Sequence, residues 1–181
     1  MKKESNVKFV MRLTVTLLAI CVAMAAALGF VNGITAPKIA QLKYEKTQEA
    51  VSAVLPGGGD EVEAPALPLV SKMYKGENGY AVEVTPSGFD NTITMMVGVD
   101  NDGNVSGISI ISHTETAGLG AVAAATTSAG EAFRAQFVGL NGTIGVTKDG
   151  GQVEAITSAT ITSRAVCDGV NAALAAVAAM G

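Results

Sequence analysis

The sequence has no tryptophan, a single histidine and two cysteines, and aromatic residues make up 4% of its 181 positions. The lone His113 excludes a multi-histidine metal centre. Cys21 and Cys167 are too far apart to supply the clustered ligands of zinc or an iron–sulfur centre, so no metal is expected. A disulfide is excluded as well, because Cys21 lies inside a long apolar run and Cys167 near the C-terminus. There is no P-loop, no nucleophile–base pair and no pair of carboxylates at a useful spacing. Hydrolytic chemistry therefore has no candidates, and no catalytic residue is expected.

Charge is sparse and uneven. Charged residues are 15% of the chain and the formal net charge is −4. Lys2, Lys3, Lys8 and Arg12 oppose only Glu4 ahead of the apolar run, and Lys38, Lys43 and Lys46 oppose only Glu45 just after it. From Thr47 onward, five basic residues face fourteen acidic ones. A domain so acidic repels a phosphate backbone, which excludes nucleic acid as a partner.

Apolar residues are what the chain has in excess, at 49%. No charge falls between Leu13 and Pro37, and Leu13 to Val31 matches the roughly 20 residues a helix needs to cross a bilayer. This predicts a cytoplasmic tail over 1–12 and a transmembrane helix over 13–34. The basic tail stays in the cytoplasm, and the rest lies on the extracytoplasmic side of the cell (inner) membrane. A cleaved signal peptide is the alternative, with Ala23-Met24-Ala25 as its cleavage pattern. The run is longer than the roughly 7–15 residues of a signal core, which favours an anchor. Both place the following domain outside.

Residues 35–70 read as stalk and linker. Thr35 is a candidate cap for a new helix with Pro37 in its first turn, running to about Leu55. Pro56-Gly57-Gly58-Gly59 stops it, and the acidic, proline-rich stretch Glu61 to Leu69 reads as linker. The domain proper is expected over 71–181, with strands at Tyr80–Thr85, Thr92–Val99 and Val105–Ser112. A turn at Asp100–Asn104 joins the last two. Weaker strands are expected at Thr143–Thr147 and Val153–Thr157. Helices are expected at Ser128–Phe137, capped by Ser128 with Glu131, and from about Thr162 to Met180. The fold class is α+β: one transmembrane helix and stalk, then a mixed domain.

Two motifs could carry chemistry. In Glu154-Ala155-Ile156-Thr157-Ser158-Ala159-Thr160-Ile161-Thr162-Ser163 a strand gives way to the last helix. Unpaired N–H groups and the positive helix end there suit a phosphate, with Arg164 nearby in sequence. Ser and Thr are also ordinary helix caps and need no ligand. The second motif, Ser112-His113-Thr114-Glu115-Thr116-Ala117-Gly118-Leu119-Gly120-Ala121, is a polar loop directly after a strand. Its Gly118-Leu119-Gly120-Ala121-Val122-Ala123 fits a loose dinucleotide pattern. The parallel βαβ context that pattern requires is missing, so it reads as a ligand-facing loop instead.

The two motifs, in this order behind one membrane helix, are similar to the membrane-anchored FMN-binding domain family. Within it they resemble the G subunits of Rnf-type ferredoxin:NAD ion-translocating oxidoreductases. The similarity also takes in Val31-Asn32-Gly33-Ile34-Thr35-Ala36-Pro37, Val54-Leu55-Pro56-Gly57 and Val97-Gly98-Val99-Asp100. The resemblance implies FMN joined by a phosphoester to Thr160 through a dedicated flavin transferase. Ser158, Ala159, Ile161 and Thr162 would flank the attachment, and Glu115, Thr116 and Leu119 would border the ring. It implies an electron-relay subunit of a translocase rather than a free-standing enzyme, with Rnf subunits A, B, C, D and E and membrane lipid as partners. The chain departs from the family pattern at three places: Glu154 for Asp, Ser158 for Gly and Ala117 for Pro. The C subunit of the sodium-pumping NADH:quinone reductase shares the pattern but is usually longer. Two readings of another kind are a non-covalent flavin binder and a cofactor-free anchored scaffold or binding module.

Overall fold

The structure is a computed structural model that describes residues 2–180, with side chains described from Val7 onward. The chain divides into two compact units, Met1–Tyr44 and Glu45–Gly181. Helix α1 (Lys2–Val54) supplies the described part of the first unit and opens the second.

In the first unit, the side chains from Val7 to Tyr44 are exposed, large apolar ones such as Leu17, Leu28 and Phe30 among them. An 18-residue window reaches a mean hydropathy of 2.4, and among the described residues this is the one helix long and apolar enough to cross a membrane. Thr14 and Thr16 donate their hydroxyls back to the carbonyls of Val10 and Arg12, at 3.0 and 2.8 Å, which hides both from an apolar surround. The expected helix start at Thr35 does not occur. Pro37 lies inside α1 and forgoes one hydrogen bond to the carbonyl four residues back. The good helix formers that follow, Lys38, Ala40, Gln41, Leu42 and Lys43, carry the helix on.

The second unit is built on a five-stranded antiparallel meander. Its strands are β1 (Asp60–Val62), β2 (Val70–Gly76), β3 (Gly79–Val84), β4 (Thr94–Asp100) and β5 (Val105–Ser112), ordered as in sequence. Strand β1 corrects the expectation of a bare linker after Glu61: Asp60, Glu61 and Val62 pair with Lys75, Tyr74 and Met73. The turn between β4 and β5 forms as expected, with Asp100 Oδ1 accepting from the N–H of Asp102 and Asn104 at 3.0 and 2.8 Å.

Both faces of the sheet are covered, so strand β4 is buried along its length rather than alternately. On one face lies the end of α1, where Thr47, Ala50, Val51, Val54 and Leu55 form a buried stripe at helical spacing. Ala50, Val51, Val54 and Leu55 pack on Tyr74, Ala81 and Met96. Gly98 makes room for this helix end, since a side chain there would strike the Val54 carbonyl and the Ser106 hydroxyl. That hydroxyl donates to the same carbonyl at 2.7 Å.

On the other face lie α2 (Ser128–Ala135) and α3 (Thr160–Ala178). Val166, Val170, Ala173 and Ala176 of α3 pack with Val82, Val84, Met95 and Val97 in the larger core. Helix α2 is capped by Thr127, one residue earlier than expected, with Thr127 Oγ1 accepting from Gly130 N at 3.4 Å. It ends at Ala135, before Phe137, and α3 begins at Thr160, before Thr162. The weaker strands expected around Val146 and Val153 reduce to one parallel bridge between those residues. The 3₁₀ turn Thr147–Asp149 and the close packing of Gly151 on the Gly145 backbone leave no length for a ladder.

Candidate functional site

Strand β5 delivers the loop 113–119 to one end of the sheet, and the chain returns there to begin α3. Glu115, Thr116 and Leu119 from the loop and Ser158, Ala159, Thr160, Ile161 and Thr162 from the helix start line one cavity of about 250 Å³. Sequence patterning thus selects two segments some 40 residues apart that the fold brings together. Two further residues line the cavity: Gly120, which lies inside the second motif, and Phe89, which carries no sequence signal for this site. A larger, shallow groove of about 850 Å³ lies by the β4–β5 turn and the end of α3. Its Asp100 carboxylate is already engaged by backbone N–H groups of its own turn.

Glu115 is 8% exposed and ties three segments together. Its Oε1 accepts from the N–H of Phe89 and Asp90, at 2.8 and 3.3 Å, and its Oε2 accepts from Thr162 Oγ1 at 2.5 Å. This buried carboxylate therefore has a partner on each oxygen, as burial demands. The fit needs two glycines. A side chain at Gly88 or at Gly120 would strike a Glu115 oxygen, and at Gly120 it would strike the Thr162 hydroxyl as well.

The hydroxyls at the start of α3 do not cap it. The N-cap residue is Ala159, with no side-chain cap bond. Thr162 serves Glu115, while Ser163 Oγ donates to the Ala159 carbonyl and accepts from Ile156 N–H, both at 3.0 Å. The simple explanation of this Ser/Thr cluster as helix caps is thereby removed. The first residues of this 19-residue helix line the cavity, and its N-terminus has no side-chain cap. Ser158, just before, has a φ of 62°.

Thr160 is half-buried, and its Oγ1 accepts from Lys148 Nζ at 3.1 Å. Arg164, expected nearby as a phosphate partner, is instead taken by Asp149. Its Nε and a terminal N–H donate to the two carboxylate oxygens at 2.6 and 2.7 Å. This pair holds Asp149 below the usual carboxylate range and raises the Arg164 guanidinium. Glu154 is exposed and does not line the cavity; its backbone is held by the Gln136 side chain. His113 does not line it either, and its buried Nδ1 has no partner among the described residues. The Cys167 thiol is pushed up to about 11, first by burial and then by Asp168, so it is no nucleophile at neutral pH.

The mouth of the cavity is apolar. Phe89, Ile161 and Leu119 are 66%, 50% and 40% exposed, and together they present an oily rim beside the polar start of α3. An apolar slot for a flat ring, a helix start for an anion and a hydroxyl between them suit a phosphorylated aromatic cofactor.

A family model described as the FMN-binding domain matches residues 88–175, which include every residue lining the cavity. The G subunit of an ion-translocating oxidoreductase complex from Methanosarcina acetivorans is 34% identical, over 97% of this chain and 98% of the relative. The G subunit of the Na(+)-translocating ferredoxin:NAD(+) oxidoreductase complex of Acetobacterium woodii is 31% identical, over 94% and 92%. Its proton-translocating counterpart from Clostridium ljungdahlii is 31% identical, over 96% and 95%. The chain belongs to the family of G subunits of ion-translocating oxidoreductase complexes.

Proposed function

We propose that this chain is the electron-relay subunit of an Rnf-type ferredoxin:NAD oxidoreductase, with FMN joined to Thr160 through a phosphoester. The chain is a subunit of an oxidoreductase complex and not a free-standing enzyme. One observation carries the attachment: Thr160 lines the cavity at an uncapped helix start, and its hydroxyl oxygen already accepts from the Lys148 ammonium.

Bound FMN supplies one- and two-electron chemistry that no side chain here could provide. The protein's own tasks are hold and placement. The start of α3 receives the phosphate through backbone N–H groups. Phe89, Leu119 and Ile161 take the apolar ring, and the Glu115 carboxylate fixes the loop and the helix relative to each other. The cavity is below the roughly 300–1,000 Å³ of pockets that engulf a drug-sized ligand, so a ring edge stays open to a redox partner.

In this reading, residues 13–34 span the cell membrane, 1–12 stay in the cytoplasm and 35–70 form the stalk. The domain 71–181 faces the extracytoplasmic side, among Rnf subunits A, B, C, D and E. A flavin transferase completes the chain. The sodium- and proton-named relatives are equally similar to it, so we assign the choice of coupling ion to other subunits.

The test is to express the full chain with a flavin transferase and look for flavin fluorescence in its denatured gel band. A fluorescent band that disappears in Thr160→Ala supports the attachment. A dark wild-type band, with the transferase active on another substrate, refutes it.

A further inference from the structure

An ester phosphate at Thr160 enters an acidic surround, because from Thr47 onward five basic residues face fourteen acidic ones. Where those five cations are engaged decides which of them can meet it. Lys72 pairs with Glu61 at 3.2 Å. Lys75 lies over the Tyr80 ring, 5.4 Å from its centre. Arg134 donates to the carbonyls of Ala123 and Ala125 at 2.7 and 2.9 Å. Arg164 is held in a two-pronged bond by Asp149. Lys148 alone is directed at the site: its Nζ lies 3.1 Å from Thr160 Oγ1, with no carboxylate at ion-pair distance among the described residues.

The placement is built rather than accidental. Lys148 sits in the middle of the 3₁₀ turn Thr147–Asp149, whose flanks Val146 and Val153 are buried in the core. Thr147 N–H donates to the Val153 carbonyl at 2.8 Å and Gly151 N–H to the Val146 carbonyl at 3.0 Å, which closes the turn. Arg164 follows Thr160 by four residues and so lies on the same face of α3. Its grip on Asp149 and the Lys148 bond to Thr160 dock the turn at two points on one helix face.

We propose that Lys148 is the phosphate-binding residue for the flavin ester at Thr160, positioned by the Arg164–Asp149 pair. The proposal rests on the reading of Thr160 given above. Lys148 donates to Oγ1, so the Thr160 hydroxyl proton is directed elsewhere and free to leave. When the ester forms, the Oγ1–phosphorus bond is made as a phosphorus–oxygen bond of the donor, a flavin pyrophosphate ester, breaks. The departing phosphate keeps the bonding pair, and the proton goes to the transferase or to water. Lys148 stays protonated throughout, and its ammonium then faces the non-bridging oxygens of the ester. Arg164 cannot substitute for it while Asp149 holds both of its prongs.

The test uses the full chain co-expressed with a flavin transferase. Loading is followed over time by fluorescence of the denatured band, and the ester is examined by ³¹P NMR. A charge-assisted hydrogen bond of ordinary strength corresponds to roughly a tenfold effect. Lys148→Gln is expected to load about tenfold more slowly than wild type and to shift the ³¹P resonance of the ester that does form. Lys148→Arg restores most of the rate, and Asp149→Asn, which releases the clamp, slows loading in the same direction. Lys148 and Asp149 are both exposed, so all three variants are expected to fold. Lys148→Gln loading at the wild-type rate with an unchanged resonance overturns this proposal and leaves Thr160 as the attachment point. A dark wild-type band overturns both.

Discussion

Ser158 is one of the three departures from the pattern that the resemblance implies, and its backbone fixes what a side chain costs there. Ala159 N–H donates to the Ile156 carbonyl at 2.9 Å, so Thr157 and Ser158 are the central residues of a four-residue turn. Ser158 holds a φ of 62° at the third position, where a type II turn favours glycine. A non-glycine residue in this left-handed region is strained by roughly 1–2 kcal/mol. Glycine would lose more chain freedom on folding, a cost of roughly 0.5–1 kcal/mol. No hydrogen bond engages the Ser158 hydroxyl among the described residues. Ser158→Gly is therefore expected to stabilise the unit by about 0.5–1 kcal/mol, or about 1–4 °C in melting temperature for a domain of this size. Calorimetry of the full chain in detergent measures it. Ser158→Ala keeps the Cβ and should melt within about 1 °C of wild type, while a β-branched Ser158→Val should melt lower. Loading by the transferase should be no slower in the glycine variant. A Ser158→Gly protein that melts below wild type would refute the strain argument, because the hydroxyl would then have to be holding something.

Gly120→Ala is expected to destabilise the unit by about 1–3 kcal/mol, since its methyl meets both the Glu115 carboxylate and the Thr162 hydroxyl; the melting temperature and the extent of flavin loading should fall together. Glu115→Ala leaves the Phe89 N–H and the Thr162 hydroxyl without their acceptor and should cost about 1–3 kcal/mol, read from a denaturant midpoint. Asp149 has a native pKa lowered from 3.8, chiefly by the hydrogen bond from Arg164, so its stabilising contribution is complete above 3.8 and fades as the pH falls through the lowered native value. The stability gap between wild type and Asp149→Asn should accordingly stay level across neutral and mildly acidic pH and close below 3.8. Cys167, buried and with its thiol pushed up to about 11, should resist a maleimide at pH near 8 until the unit is denatured; fast labelling of the folded protein would contradict its burial.

The parts legible in the sequence are those with a local physical signal. Strand β5 can be read residue for residue, because Asp100 to Asn104 spells a turn and the apolar run after it is clean. The two motifs are legible because a strand end and a helix start are local features, and the eight residues that the family resemblance picks out within them all line one cavity. What escapes depends on partners distant in sequence. Strand β1 looks like linker because its strand character comes from pairing with β2, not from Asp60-Glu61-Val62 itself. Phe89 shows only as a lone aromatic in a polar turn, and its place at the cavity mouth is set by Glu115, 26 residues away. Arg164 misleads because closeness in sequence to Thr160 says nothing of Asp149, 15 residues before it. Lys148 has no signal beyond a basic residue ahead of a glycine pair. Its reach to Thr160 exists only once the turn has docked on α3.

The smallness of the cavity and its exposed rim bear on the tether proposed at Thr160. A relay must admit a redox partner close to the ring, which argues for an open site. An open site of about 250 Å³, with one available ammonium in an acidic unit, gives little non-covalent affinity for an anionic cofactor. Holding a free ligand also costs its translational and rotational freedom, on the order of 4–15 kcal/mol. The proposed covalent bond at Thr160 would remove that cost from the bound state. The site would then be released from the need to bury the ring, and Phe89, Leu119 and Ile161 could line it while remaining exposed. A pocket that held FMN by contacts alone would be expected to close over it, whereas Phe89, Leu119 and Ile161 here stay exposed.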